Sequence, residues 1–200
     1  MTAARYGLAA ALLAAAPATL AGQTTGPARE VFFHAAAGVA APFGGALDGF
    51  DPGWTVALGL RLSPPESSPL SLQLDVLHAR LTDEPFVVPL PADGFARVEP
   101  RTAVTSVGAA VVLAPRERRH MHAYLLAGAA YYRLSRDDRG DAGDVFIEGT
   151  NRRDAAGVSY GGGIEGRVGR LAPFLELRQH IIFNREDDTS LVPLVVGLRF

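Results

Sequence analysis

The sequence predicts an all-β fold, an eight-stranded antiparallel up-and-down transmembrane β-barrel preceded by a cleavable signal peptide. Three observations predict it: a leader-like first segment, eight later segments with apolar side chains at every second position, and an aromatic residue at the end of the chain. A strand has a side-chain period of two, so each of these segments has one apolar face and one small or polar face. The predicted organisation is a signal peptide over 1–21, a short lead-in over 22–30 and one barrel domain over 31–200.

The first 21 residues have the layout of a secretory signal peptide. Arg5 precedes an apolar core from Leu8 to Ala16, and small residues precede a cleavage position after Ala21. The apolar core has about half the length that a spanning helix needs. Later apolar runs are interrupted by charge, Pro or Gly, so we do not expect a helical membrane protein.

The composition limits the possible partners and cofactors. The chain has no cysteine and a net charge of −2, and all 19 of its basic residues are arginines. Without cysteine there is neither a disulfide framework nor a thiolate metal site. No basic stripe is present, so we expect no nucleic-acid partner. We also expect no cofactor.

The eight alternating segments are separated by connections whose lengths alternate. The segments are 31–41, 54–62, 70–76, 102–113, 122–134, 158–168, 175–183 and 191–200. Three connections are short or compact (63–69, 114–120 and 169–172), and the four between them are 42–53, 81–101, 135–155 and 184–190. Outer-membrane barrels have short periplasmic turns and longer outer loops. The alternation therefore predicts both chain ends on the periplasmic side of a bacterial outer membrane.

The last strand ends in an aromatic ring. Leu194, Val196, Leu198 and Phe200 occupy every second position, and Gly197 and Arg199 lie between them. The ends of soluble domains usually fray into water and have no need of a terminal ring. The closing strand of a transmembrane barrel must be paired along its length and anchored at the membrane interface.

The faces distinguish a membrane barrel from a soluble one. The minority face of the segments carries glycines and a few charges of both signs, whereas a water-facing surface would carry many more polar residues. We therefore expect a narrow lumen filled by its own side chains, with arginines paired to carboxylates. The predicted charge network consists of Arg61, Asp75, Arg133, Glu165, Arg167, Glu176, Arg178 and Arg199. A soluble periplasmic β-barrel binder remains the alternative.

The aromatic residues suggest two girdles at the membrane interfaces. Trp54, Tyr132 and Phe183 are predicted near the outer rim, and Tyr124 and Phe200 near the inner one. The alternative is that these rings are scattered through a core.

The chain resembles the small eight-stranded outer-membrane barrels of the OmpA-transmembrane-domain and OmpX type. The resemblance covers 31–200 and depends on the alternating end Leu194-Val-Val-Gly-Leu-Arg-Phe200 and the alternating hairpins before it. It implies a terminal signal read by the barrel-assembly machinery, with Val196, Leu198 and Phe200 at its positions. The signal often has a Gly upstream of Gly197, where this chain has Val195. The resemblance also implies outer-membrane lipids as surroundings and a monomer.

We expect no catalytic residue. Some small barrels of this membrane are lipid-modifying enzymes with a His-x-Ser pair, but Ile182 stands where His180 would need its Ser. His180 shares a face with Glu176 and Arg178, which suggests a place in the lumen network. His34 is predicted to face inward as well.

We expect no metal site. His120 and His122 flank Met121 without further ligands nearby. The acidic loops near residues 137–144 and 186–188 do not have the spacing of a calcium loop.

The sequence favours a non-enzymatic structural or surface-interaction protein. Its longest loops, 81–101 and 135–155, are expected to carry contacts with partners. The alternatives are a lipid-modifying enzyme that needs His34 or His180, a small-solute pore with measurable conductance, and the soluble binder described above.

Deleting Phe200, or replacing it by a charged residue, is expected to impair membrane insertion. The reason is that the closing strand would lose its interfacial anchor and the last residue of its terminal signal. Membrane fractionation followed by electrophoresis of unheated and boiled samples measures the effect. A normal amount of heat-modifiable barrel in the membrane after the deletion would contradict this use of the terminus.

Overall fold

The computed structural model describes residues 30–47, 49–64, 68–82, 86–90, 94–115, 121–142, 145–184 and 188–200. The predicted signal peptide over 1–21 lies outside the described residues. So does the lead-in, except for its last residue, Glu30, which begins the first strand.

The described chain forms nine antiparallel strands and one turn of 3-10 helix, Gly45–Leu47. The strands are β1 (Glu30–Phe43), β2 (Asp51–Ser63), β3 (Leu70–Thr82), β4 (Phe86–Leu90), β5 (Gly94–Leu113), β6 (Met121–Ala142), β7 (Val145–Gly166), β8 (Ala172–Phe183) and β9 (Thr189–Arg199). The eight predicted segments each fall on a different strand. The ninth strand, β4, lies in a stretch predicted to be a loop.

Eight of these strands close into a barrel. Each of them pairs with its neighbour along the chain, and β3 pairs with β5 across the short β4. The first and last strands close the circle through ten register pairs, from His34 with Arg199 to Phe43 with Ser190. The pairing continues to the last residue, because Phe33 and Phe200 exchange two backbone hydrogen bonds of 2.9 Å. The predicted up-and-down topology is confirmed.

The two ends of the barrel differ. One end, called here the terminal end, contains Glu30, Phe200 and the three compact connections β2–β3, β5–β6 and β7–β8. The opposite end, called the loop end, contains the remaining connections. There β4 pairs with residues 94–98 of β5, and the outer parts of β5, β6 and β7 extend together beyond the remaining strands.

The outer wall of the barrel is apolar and exposed. Leu58 is 62 % exposed, and large apolar side chains from every wall strand share this orientation, among them Phe33, Val107, Leu125 and Leu177. A continuous apolar belt of this size is costly in water and is typical of a surface surrounded by lipid. Among the described residues, no helix is long and apolar enough to cross a membrane.

The orientation of β6 differs from the prediction. Tyr124 and Tyr132 are buried in the lumen, so their assignment to the aromatic girdles is wrong, and Arg133 faces outward instead of into the lumen. Both faces of this strand are apolar in sequence, so alternation alone did not fix its orientation. The space that the glycines of β7 leave inside the barrel determines the orientation of β6. A Cβ atom at Gly163 would lie 2.6 Å from the Tyr124 ring, and one at Gly157 would lie 2.9 Å from the Tyr132 ring.

The lumen near the loop end is filled by an apolar cluster. Its members come from the 3-10 helix and from seven strands, and they are Ala40, Leu47, Leu77, Ala79, Leu81, Val104, Tyr132, Leu134, Ala155, Ile182 and Leu191. Leu47 is almost fully buried and brings the β1–β2 connection over the lumen. This half of the barrel therefore has a packed interior like that of a soluble domain.

Replacing Leu77 by Ala is expected to lower the free energy of unfolding by about 2–5 kcal/mol, because the cluster would retain a cavity. Leu74→Ala on the same strand is the matched control. Leu77 is 6 % exposed and Leu74 is 38 % exposed on the outer wall, where lipid or detergent can fill the vacated space. Urea unfolding of the barrel in micelles measures both variants. Equal losses would contradict the assignment of the two faces.

Candidate functional site

The lumen towards the terminal end contains buried charges that connect opposite strands. Arg178 on β8 donates to Asp75 on β3 at 2.8 Å and to Glu176 at 2.6 Å and 3.1 Å. Asp75 also accepts a hydrogen bond from Gln73 at 3.2 Å and contacts His34 on β1 at 2.8 Å. Buried charges are stable only when they are paired and their remaining polar atoms are satisfied. In this cluster the charges of Arg178, Asp75 and Glu176 are paired across two strands, and Nδ1 of His34 is buried without a hydrogen-bond partner among the described residues.

A second group of charges lies next to the first. Arg61 on β2 donates two hydrogen bonds to Oε1 of Gln73, at 2.8 Å and 3.1 Å. Its Nη1 is also 3.3 Å from Oε2 of Glu165 on β7. Arg199 on β9 pairs with the same carboxylate oxygen of Glu165. One carboxylate therefore serves two buried guanidinium groups.

The two inward tyrosines belong to this interior. The Tyr124 hydroxyl donates to Glu176 at 2.7 Å, and its ring lies 4.7 Å from the Arg61 guanidinium carbon. The Tyr132 hydroxyl is 2.8 Å from Nδ1 of His180. Sequence reasoning missed this role. The signal that could have revealed it is the run of glycines on the inward face of β7, which leaves space for rings on the neighbouring strand.

The structure brings six of the eight predicted network residues into the lumen: Arg61, Asp75, Glu165, Glu176, Arg178 and Arg199. The other two assignments are wrong. The Arg133 side chain is 59 % exposed and pairs with Asp154 at 3.0 Å on the outside of the sheet. Arg167 follows the end of β7 and is exposed at the mouth of the terminal end.

The remaining predicted positions face outward. Trp54 and Phe183 are exposed on the wall, each at the end of its strand nearest the loop end. Val196, Leu198 and Phe200 are exposed along β9 and at its end. These three side chains therefore form an apolar stripe on the outer face of β9 at the end of the chain.

The histidines considered for catalysis lie inside the lumen. His34 and His180 both line a cavity of about 30 Å³, together with Ser159, the register partner of His180. The sequence pattern did not place this serine beside a histidine. A cavity of this volume has room for about one water molecule, whereas sites for drug-sized ligands have about 300–1,000 Å³. Among the described residues, no group of three or more His, Asp or Glu side chains could hold a metal ion.

A protruding sheet extends from the loop end. It consists of β4, residues 94–100 of β5, residues 133–142 of β6 and residues 145–154 of β7, and Leu134 at its base still faces the lumen. The β7–β8 pairing ends at Ala156 with Phe183, so this part of β7 has an open edge among the described residues. β4 has the other open edge. At 3.3–3.4 Å per residue, the ten paired residues of β6 extend about 30 Å along the strand.

The register of the protruding sheet sets opposite charges against each other. Between β5 and β6 the register partners include Arg97 with Asp141, Glu99 with Arg139, and Arg101, at the base of the sheet, with Asp137. Between β6 and β7 they include Arg139 with Glu148 and Arg133 with Asp154. Cross-strand pairs of opposite charge favour one register.

Comparison with known proteins supports the same architecture. The chain is similar to Neisserial surface protein A (14 % identity, TM-score 0.56, covering 86 % of this chain and 98 % of the other). It is similar to a major outer membrane protein from Thermus thermophilus (13 % identity, TM-score 0.58, covering 87 % of this chain and 99 % of the other). It is also similar to Ail, the attachment invasion locus protein of Yersinia pestis (15 % identity, TM-score 0.50, covering 86 % of this chain and 99 % of the other).

The chain has the fold of the small eight-stranded outer-membrane β-barrels. These neighbours and the closed sheet confirm the predicted eight-stranded antiparallel up-and-down barrel and the resemblance stated for it. No protein-family model matches the sequence, and no curated protein matches it either. The likeness is therefore one of fold, at an identity where sequence comparison gives no signal.

Replacing Arg178 by Gln is expected to lower the free energy of unfolding by about 3–5 kcal/mol, because two buried carboxylates would lose their shared cation. Arg133→Gln is the matched control, since it removes the same charge from an exposed pair that solvent screens. Urea unfolding in micelles compares the two variants. If Arg178→Gln were no more destabilising than Arg133→Gln, the lumen network would not be a source of stability.

Proposed function

We propose that this protein resides in the bacterial outer membrane and acts there as a non-enzymatic structural or surface-interaction protein. The loop end would face the exterior and the terminal end the periplasm. Three features support this orientation. They are the apolar belt, the compact turns that share the terminal end with both chain ends, and the charged register pairs of the protruding sheet at the loop end. Outer-membrane lipids would be its immediate partners, and one closed barrel is complete as a monomer.

The protruding sheet is the observation that carries the proposed surface role. Among the described residues, its two open edges present unpaired backbone N–H and C=O groups, which an extended segment of a partner can pair with by strand addition. The predicted contact loops 81–101 and 135–155 coincide with this sheet. One structural neighbour is described as an attachment invasion locus protein, a name that fits the same type of role.

The interior favours this proposal over a pore or an enzyme. The apolar cluster occupies the lumen near the loop end, and the paired charges occupy much of the rest. A solute would have to displace both. The cavity beside His34, Ser159 and His180, at about 30 Å³, is too small for a lipid chain.

The apolar stripe formed by Val196, Leu198 and Phe200 supports the further proposal that the barrel-assembly machinery recognises the last strand. All three side chains are exposed on one face of the strand that closes the barrel. An assembly factor could therefore read them before the seam between β9 and β1 closes.

Shortening the β6–β7 hairpin is expected to weaken partner binding, because it removes part of the β7 edge, and to leave the barrel intact. Replacing residues 140–147 by an Asn-Gly turn joins the register partners Arg139 and Glu148 directly, so the strands below keep their pairing. The wild type and the variant in nanodiscs are compared on arrays of purified extracellular proteins and glycans. Weaker binding to at least one partner, with unchanged heat-modifiability, is the expected result.

Two results would contradict the proposal. The first is a set of binders that the shortened variant retains in full. The second is a steady single-channel current from the wild type in a planar bilayer, since this would make solute passage the better description.

A further inference from the structure

A second cavity opens at the terminal end of the lumen. Its volume is about 330 Å³, and it is called the vestibule here. Its charged and titratable lining consists of Arg61, His122, Glu165, Arg167, Arg170 and Arg199. The proposed surface role at the loop end does not use this space.

The vestibule has an excess of positive charge. Among the described residues, four guanidinium groups and one carboxylate, Glu165, line it. Arg61 and Arg199 are both buried and both contact the same carboxylate oxygen. Deeper in the lumen, Asp75 and Glu176 share the single cation Arg178, so their remaining negative charge offsets part of the charge of Arg61 and Arg199. The uncompensated positive charge of the vestibule therefore lies with Arg167 and Arg170 at its mouth.

The hydrogen-bond donors of Arg199 are only partly used. Its Nε and Nη2 atoms are buried without a hydrogen-bond acceptor among the described residues. Its guanidinium carbon lies 5.0 Å from the Phe174 ring and 5.9 Å from the Tyr124 ring. Aromatic faces attract a cation but do not neutralise it.

A tight turn fixes the exposed half of the vestibule. Val168 and Leu171 exchange backbone hydrogen bonds of 2.8 Å and 3.1 Å around Gly169 and Arg170. Gly169 has a φ of +63°, a conformation that side-chain-bearing residues rarely adopt. The turn holds Arg167 and Arg170 at the mouth, so an anion would meet guanidinium groups that are already in position.

We propose that the vestibule binds a multiply charged oxyanion, namely a phosphate group. An arginine fork donates two parallel hydrogen bonds to phosphate oxygens, and the exposed guanidinium groups of Arg167 and Arg170, with the unused donors of Arg199 behind them, favour a dianion over a singly charged carboxylate. The volume lies at the lower end of the range for small-molecule sites. The phosphate would belong to a soluble phosphate compound or to the headgroup of a lipid in the adjacent leaflet.

The test uses the folded full-length barrel in a non-ionic maltoside detergent, with inorganic pyrophosphate as the probe in a calorimetric titration. Arg167→Gln/Arg170→Gln is expected to weaken binding about tenfold or more, since two charge-assisted contacts are lost. Arg80→Gln/Arg101→Gln is the matched control. It removes two exposed arginines from the wall near the loop end and is expected to leave binding unchanged.

The proposal is overturned if the wild type does not bind pyrophosphate, or if both double variants weaken binding equally. The second result would indicate general attraction by net charge. Should the vestibule double variant not fold, Arg170→Glu tests the same site, because it reverses one charge in an exposed turn. This variant is expected to weaken binding, and unchanged binding would overturn the proposal.

A second arm distinguishes the two sources of phosphate. The pyrophosphate titration is repeated in nanodiscs of phosphatidylcholine alone and of phosphatidylcholine with phosphatidylglycerol. Weaker binding in the second nanodisc identifies competition by an anionic headgroup and supports the lipid source. Equal binding in both supports a soluble phosphate compound.

Discussion

The rest of the structure depends on the hydrogen-bonded seam between β1 and β9. In lipid no water is available to satisfy backbone N–H and C=O groups, so a sheet with open edges is excluded and a closed one is required. Gly38 allows the close approach of these two strands, since a Cβ atom there would collide with the backbone of Leu194 and Val195. With the seam closed, alternation divides every wall strand into an outer apolar face and an inner face.

The closed circle of eight strands also determines how the interior is filled. A barrel of this size has room for side chains and little else. The chain fills one half with an apolar cluster and the other with paired charges, and Tyr132 joins the two through its hydroxyl contact with His180. Because side chains occupy the interior, the surfaces that can bind a partner or ligand lie at the two ends of the barrel. The protruding sheet lies at one end and the arginine-lined vestibule at the other.

The sequence predicted most of the wall because seven strands carry a clear difference between their faces. It predicted the wrong orientation for β6, where Leu125 and Leu126, and Tyr131 and Tyr132, are adjacent apolar pairs without a polar face. The deciding interaction there is a long-range fit of tyrosine rings over glycines of β7, which no local pattern contains. The extension of β6 and β7 was missed for a related reason. Its residues are charged and look like a loop, and only the cross-strand register shows that the charges are complementary.

The most direct test of this account is a cross-link across the seam. The chain has no cysteine, so Ala37→Cys/Val196→Cys introduces the only two thiols, at register partners that are 159 residues apart. Ala37→Cys/Val56→Cys is the matched control within the β1–β2 hairpin. A closed barrel predicts that a short bismaleimide links both pairs within one molecule with similar yield. Efficient linking in the hairpin, with no intramolecular product across the seam, would show an open sheet and contradict the account.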